Sequence, residues 1–235
     1  MTAGAFPRRY GGKLGTLLES SRALISQMQV SKTSLLSILL EGPPATGKTA
    51  VAASLALTSD FPFVKLLSPT SLVGMPESAK AAAITRVFDD AHKSPLSLVV
   101  LDELERLLEY VRIGPRFSNL VLQTLLTCVK KVPRTSKLVI IATSSSAAVL
   151  ESLELLDAFN VTLSVPTLGK GEAQEVLRQL GVGNRADLQP LLDQVTTGIP
   201  IKKLMLVVEM SIQPDKNIHP GRFGAVLAET GLLAL

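Results

Sequence analysis

Gly42-Pro43-Pro44-Ala45-Thr46-Gly47-Lys48-Thr49 follows the pattern G-x-x-x-x-G-K-[ST]. Such a string answers the demands of a polyphosphate. The two glycines let the backbone close around the phosphates, so that Pro43, Pro44, Ala45, Thr46, Gly47, Lys48, Thr49 and Ala50 would line them. Lys48 adds a mobile positive charge for the β- and γ-phosphates, and the Thr49 hydroxyl suits a magnesium ion. A helix beginning here turns its positive dipole end toward the same anions.

A second group lies downstream. Leu96-Ser97-Leu98-Val99-Val100-Leu101 is an apolar run that ends in Asp102-Glu103. Ligands of open α/β sheets sit at the carboxyl ends of strands. Asp102 would therefore face the metal through water, and Glu103 would orient or deprotonate an attacking water. The competing reading makes both acids helix N-terminal caps. Next, Leu138–Ala142 opens into Thr143-Ser144-Ser145-Ser146. Ser144 is the candidate to meet the γ-phosphate or the water, against an ordinary N-cap role, which suits Ser145 and Ser146 better. Finally, Pro200 starts a helix, and Lys202 near that start is placed either to reach the γ-phosphate or to stay solvated. Asp89, Asp90, Glu105 and Glu109 read as solvated helix-face acids.

These groups need a scaffold. Leu35–Leu40, Phe61–Leu67, Leu96–Leu101, Lys137–Ala142 and Asn160–Val165 read as strands. Helical stretches at Lys48–Ser59, Ser78–Lys93, Glu103–Tyr110 with Ser118–Lys131, and Ala147–Leu156 alternate with them. That alternation predicts a parallel sheet covered on both faces. After Pro166 only helices are expected, at Glu172–Leu180, Ala186–Val195, Pro200–Ile212 and Arg222–Leu233. The division is therefore residues 1–33 as an N-terminal segment, 34–166 as the α/β part and 167–235 as a helical lid.

Composition narrows the classes. The 235 residues carry a net charge of +4, no Trp and 4% aromatics, so a stacking platform for nucleic acid lacks material. No apolar run approaches the roughly 20 residues that span a bilayer, and Met1–Phe6 lacks the apolar core of a signal peptide. One cysteine, Cys128, excludes an internal disulfide framework and fits a reducing compartment, with cytosol the default.

The order of phosphate loop, Asp-Glu strand, polar strand tip and helical lid resembles an AAA+ ATPase module. Leu39-Leu40-Glu41-Gly42-Pro43-Pro44, Phe61-Pro62-Phe63, Phe88-Asp89-Asp90-Ala91 and Glu105-Arg106-Leu107-Leu108 make the likeness narrower. With Ile113-Gly114-Pro115-Arg116-Phe117-Ser118-Asn119 and Ile201-Lys202-Lys203-Leu204, they are similar to one domain: the second, C-terminal ATPase domain of the vesicle-fusing ATPases, the family of the N-ethylmaleimide-sensitive factor. The resemblance runs from about Tyr10 to Leu233.

It implies a P-loop AAA+ fold with a small helical lid, ATP and Mg²⁺ as cofactors, and Tyr10 beside the adenine or as a plain packing residue. It implies a homo-hexamer that works in the cytoplasm, peripherally at vesicle and organelle membranes. There, a soluble adaptor and the rest of a longer protein link the ring to SNARE complexes. In that family the second ring mainly binds ATP and holds the hexamer, so slow hydrolysis is expected. A non-hydrolysing ATP-dependent scaffold and a generic AAA+ remodeller are the alternatives. Three departures matter, the first being Ser144 in place of the asparagine common at that strand tip in the family. No arginine stands between Arg134 and Arg178, where the family's finger is expected, leaving Lys130, Lys131 or Lys137 as substitutes. The substrate-gripping loop reads Leu72-Val73-Gly74, with Leu in the aromatic position.

Overall fold

The computed structural model describes residues 12–111, 116–181, 185–195, 198–214 and 217–232. In chain order the elements are α1 (Gly12–Val30), β1 (Leu35–Glu41), α2 (Lys48–Leu57), β2 (Phe63–Leu67), α3 (Glu77–Lys93), β3 (Leu96–Leu101), α4 (Leu104–Leu107) and α5 (Asn119–Lys130). They continue with β4 (Lys137–Ser144), α6 (Ala147–Ser152), β5 (Val161–Ser164), α7 (Lys170–Gln179), α8 (Arg185–Asp193), α9 (Ile201–Ser211) and α10 (Pro220–Glu229). Short 3₁₀ turns occupy Pro69–Leu72 and Leu156–Ala158.

Contacts divide the chain into two compact units. One comprises Leu18–Gly42 and Lys48–Ser164; the other gathers Val165–Leu235, Pro43–Gly47 and the described residues up to Leu17. The first is an α/β layer structure. Its five strands are all parallel, in the order β2-β3-β4-β1-β5. β1, β3 and β4 are nearly continuous apolar runs because helices cover both of their faces. Leu39, Val99, Leu101, Leu138 and Ile140 join Ile84 and Phe88 of α3 and Val121 and Leu125 of α5 in one core. Alternate residues such as Ile38, Leu98, Val100 and Ile141 are equally buried and point the other way. Ser37, buried in β1, is satisfied by Asn160 and the Ala158 carbonyl.

The order of strands matters for the site. β4 lies between β1, which runs into the phosphate loop, and β3, which runs into Asp102-Glu103. Register pairs Glu41 with Ser144 and Leu101 with Ala142. The strand-tip hydroxyls are therefore level with the residue that precedes the loop and with the acids beyond β3.

The second unit is helical. α9 packs on α10, α7 on α8, and α8 on α10, with Phe223, Leu188 and Leu204 wholly buried. α9 follows a short antiparallel bridge in which Leu168 and Ile199 exchange two hydrogen bonds of 2.8 Å.

Several elements depart from the expected bounds. Residues 12–30, given no element above, form the 19-residue helix α1. The helix expected at Glu103–Tyr110 shrinks to the four residues of α4, because Glu103 and Glu109 both take left-handed backbone angles (φ 53° and 55°). β2 begins at Phe63 rather than Phe61, and the helix expected at Ala147–Leu156 ends at Ser152. Tyr10, with Gly11, and Ile113-Gly114-Pro115 lie outside the described residues.

Candidate functional site

The phosphate loop has the backbone such a cradle needs. Gly47 has φ 92° and Ala45 φ 66°, so two residues within three are left-handed. Successive amides in such a conformation turn toward a common concave face that suits anions. Pro43 and Pro44 are exposed, Ala45 is half-buried, and Thr46, Gly47 and Lys48 are buried. The Thr46 hydroxyl donates to the Pro43 carbonyl at 3.0 Å and tightens the turn. The Lys48 ammonium donates to the Gly42 carbonyl at 2.8 Å, so its charge is held at the loop. Thr49 and Ala50, both half-buried, open the first turn of α2.

In the sheet unit, the residues expected to hold a metal meet. Thr49 Oγ1 donates to Asp102 Oδ1 at 2.9 Å. Since the hydroxyl gives its only proton to the carboxylate, its lone pairs remain directed elsewhere. A hydroxyl oxygen and a carboxylate side by side are a hard-oxygen donor set, which fits magnesium with waters completing its shell. Asp102 itself is only 8% exposed, and its N–H extends the β2–β3 ladder by donating to the Leu67 carbonyl at 2.8 Å.

Thr143 was not singled out in the sequence, yet it ties the acids together. Its hydroxyl donates to Asp102 Oδ1 at 2.7 Å and accepts the Glu103 N–H at 2.9 Å. The register of β3 and β4 was the signal that identifies it: one residue past the Leu101–Ala142 pair, Thr143 stands beside Asp102. Glu103 follows in a left-handed conformation that costs a non-glycine residue about 1–3 kcal/mol and recurs at functional sites. Its carboxylate lies 3.4 Å from the Arg106 guanidinium, an exposed pair of small energetic weight.

Ser144 is 1% exposed, and its Oγ accepts the Ser146 N–H at 3.1 Å. It bonds neither Asp102 nor Thr49. Ser146 stands at the N-cap position of α6, but its hydroxyl makes no cap bond, contrary to expectation. Glu105 is not a solvated acid either: it is half-buried, and its Oε1 accepts the Ser145 N–H at 3.0 Å.

In the helical unit, the Lys202 side chain is exposed, while its backbone N–H donates to the Ala45 carbonyl at 3.1 Å. The start of α9 is thus bonded to the phosphate loop. Lys203 turns away and caps α10 through the Thr230 carbonyl at 2.8 Å. Of the lysines considered as substitutes for an arginine finger, Lys137 donates to the Met28, Gln29 and Ser31 carbonyls at 2.8–3.0 Å, and Lys131 lies 3.7 Å from Asp89.

A model of the ATPase family associated with various cellular activities (AAA) matches residues 38–167. The chain belongs to this family. As an AAA protein it is similar to several longer ones. It is 43% identical to a vesicle-fusing ATPase of Arabidopsis thaliana over 219 residues, covering 90% of this chain and 29% of that protein. It is 44% identical to the vesicle-fusing ATPase of Dictyostelium discoideum over 211 residues, covering 88% and 28%. The vesicular-fusion protein SEC18 of Saccharomyces cerevisiae is 44% identical over 218 residues, covering 89% and 29%. The chain spans less than a third of the length of these curated relatives. The parallel sheet, flanking helices and ATP–magnesium cofactor set are those of an AAA module.

Proposed function

We propose that this chain is the ATP-binding, slowly hydrolysing module that assembles the hexamer of a vesicle-fusion ATPase acting on SNARE complexes. It corresponds in this reading to the second ATPase domain of such a protein, with residues 34–166 as its nucleotide-binding part and 167–235 as its lid. The observation that carries the reading is the Thr49–Asp102 contact at 2.9 Å, which joins the phosphate-loop helix to the acidic strand end. The names and identities of the relatives supply the vesicle-fusion setting.

When bound, magnesium would neutralise charge on the β- and γ-phosphates, with Thr49 and Asp102 as its protein donors. The loop Pro43–Gly47 with Lys48 and Ala50 grips the phosphates, Ser144 and Lys202 report the γ-phosphate, and Tyr10 meets the base. Glu103 positions the attacking water. Slow turnover is supported by the lack of an arginine between Arg134 and Arg178, where the family's finger is expected, a group worth about 10³–10⁵ in rate where present. Leu72 is buried in the core at 4% exposure, so its side chain serves packing rather than gripping a polypeptide. That favours assembly over threading.

The module works in the cytoplasm and reaches vesicle and organelle membranes through partners, a soluble adaptor among them. Among the described residues no helix is long and apolar enough to cross a membrane. The same lack of an arginine also suits a second reading, in which ATP is structural and never turned over. A Glu103→Gln chain separates the two. Lost phosphate release with retained ATP binding and oligomer supports slow catalysis; no release from either chain supports the scaffold. Sedimentation with and without ATP tests assembly, and a monomer unchanged at saturating ATP would refute it.

A further inference from the structure

The tip of β4 is fastened to the segment after β3 at two points, one on either side of Ser144. On one side Thr143 bonds both Asp102 and the Glu103 N–H. On the other, the Ser145 N–H is held by Glu105 Oε1 at 3.0 Å. This second tether spans 40 residues of sequence and runs from a four-residue helix whose Leu104 and Leu107 are buried in the core of the sheet unit. Glu105 is half-buried, and its other oxygen, Oε2, is sealed from solvent with no donor among the described residues. Burying that oxygen without a donor carries a cost that the bond to the Ser145 N–H must outweigh.

The residue between the tethers is Ser144. Its Oγ accepts the Ser146 N–H, so its own proton is left to give away. Register sets it level with Glu41, immediately before the phosphate loop. A hydroxyl used this way must be held within fractions of an ångström, because a shift of about 1 Å can cost roughly 100-fold in rate.

We infer that Glu105 is a positioning residue: by holding the Ser145 N–H it fixes the β4 tip so that Ser144 donates its proton toward the γ-phosphate or the attacking water. The inference rests on the ATP-binding reading above. It is independent of whether ATP is turned over, since Ser144 would distinguish ATP from ADP in either case.

The test uses the full chain with five variants: Glu105→Ala, Glu105→Asp, Glu105→Gln, Ser144→Ala and the Glu105→Ala/Ser144→Ala double. ATP turnover and the affinities for ADP and ATPγS are measured for each. Glu105→Ala should lower kcat about 10-fold, and the preference for ATPγS over ADP by a similar factor, with ADP affinity held within about 2-fold. Glu105→Asp keeps the charge but shortens the reach; it should lose as much, and it carries the test if the alanine variant does not fold. Glu105→Gln, which retains an acceptor oxygen, should recover most of the loss. The double variant should be no worse than Ser144→Ala, because both act at one point. Losses that multiply in the double variant overturn the inference. So does a Ser144→Ala chain that matches wild type in both readouts, or a folded Glu105→Asp chain that does.

If no chain turns over ATP, the hydrolytic reading fails, while the nucleotide preference still decides the role of Glu105.

Discussion

Replacing Thr143 by valine removes one hydroxyl with almost no change of shape, and the loss can be worked out bond by bond. Thr143 is 1% exposed, so water cannot substitute for what is lost. The bond to Asp102 at 2.7 Å is charge-assisted, a class worth about 1.5–3 kcal/mol. Asp102 keeps the Thr49 donor at 2.9 Å, which places the loss near the lower end. The Glu103 N–H, paired only with Thr143 Oγ1, is left without an acceptor at about 1–3 kcal/mol. Against this, the new methyl is worth about 0.8 kcal/mol, and Glu103, released, sheds part of its left-handed strain. The balance is a loss of about 2 kcal/mol for the sheet unit. With a urea slope of about 3 kcal/mol per molar, the midpoint falls by roughly 0.7 M. Circular dichroism is the convenient signal, since the chain has no tryptophan. Thr143→Ser should restore most of the loss. A Thr143→Val chain within about 0.5 kcal/mol of wild type, or a serine variant as weak as valine, would refute the view that one hydroxyl links both acids.

Three further perturbations address other parts of the chain. Lys137→Met strips the ammonium from the carbonyls of Met28, Gln29 and Ser31 at the end of α1. A loss of about 1–2 kcal/mol follows, with faster amide exchange confined to the last turn of α1; uniform exchange would refute a capping role. Ala45→Gly relieves a left-handed alanine at φ 66° and, after the added freedom of the unfolded chain, should gain about 0.5–1 kcal/mol in urea unfolding. A loss there would show that Ala45 is not strained. His92 has its pKa pushed below the ordinary 6.5, first by burial and then by Lys131, with Asp89 opposing. The unfolded chain therefore takes the proton first as pH falls. The contribution of the neutral ring is full above about pH 6.5 and is lost as pH drops through the lower folded value. In urea titrations, His92→Gln should lose less stability than wild type between pH 7 and pH 5; parallel losses would refute the assignment.

Much of the fold was readable because burial on both faces leaves a blunt signature. β1, β3 and β4 are apolar almost throughout, and no helical period competes with them. α1 shows how a real signal escapes. Leu14, Leu18, Ile25 and Met28 are buried at helical spacing, but the stripe's middle place is held by Ser21, itself fully buried. Hydropathy scores that serine as a break, whereas the helix tolerates it. α4 fails for the opposite reason. Glu103, Glu105 and Arg106 are good helix formers, so propensity extends the helix across Glu103–Tyr110. The left-handed turn at Glu103 is imposed by tertiary bonds, above all the Thr143 hydroxyl on its N–H.

The site divides along the same line. Thr49 and Asp102 could be paired from sequence because each occupies a fixed place in a motif that implies the other. The four hydroxyls Thr143-Ser144-Ser145-Ser146 carry no such mark. What assigns them is strand parity. Side chains alternate across a sheet, so neighbours in sequence cannot share a task on one face. Once Leu101 is set opposite Ala142, Thr143 falls beside Asp102 and is committed to the acids, and Ser144 is left with a hydroxyl proton to spend elsewhere. A one-residue slip of β4 against β3 would bring Ser144 beside Asp102 and exchange these roles. The functional assignment of each hydroxyl thus depends on backbone register. That is why a polar string at a strand tip announces a site without revealing which residue performs the chemistry.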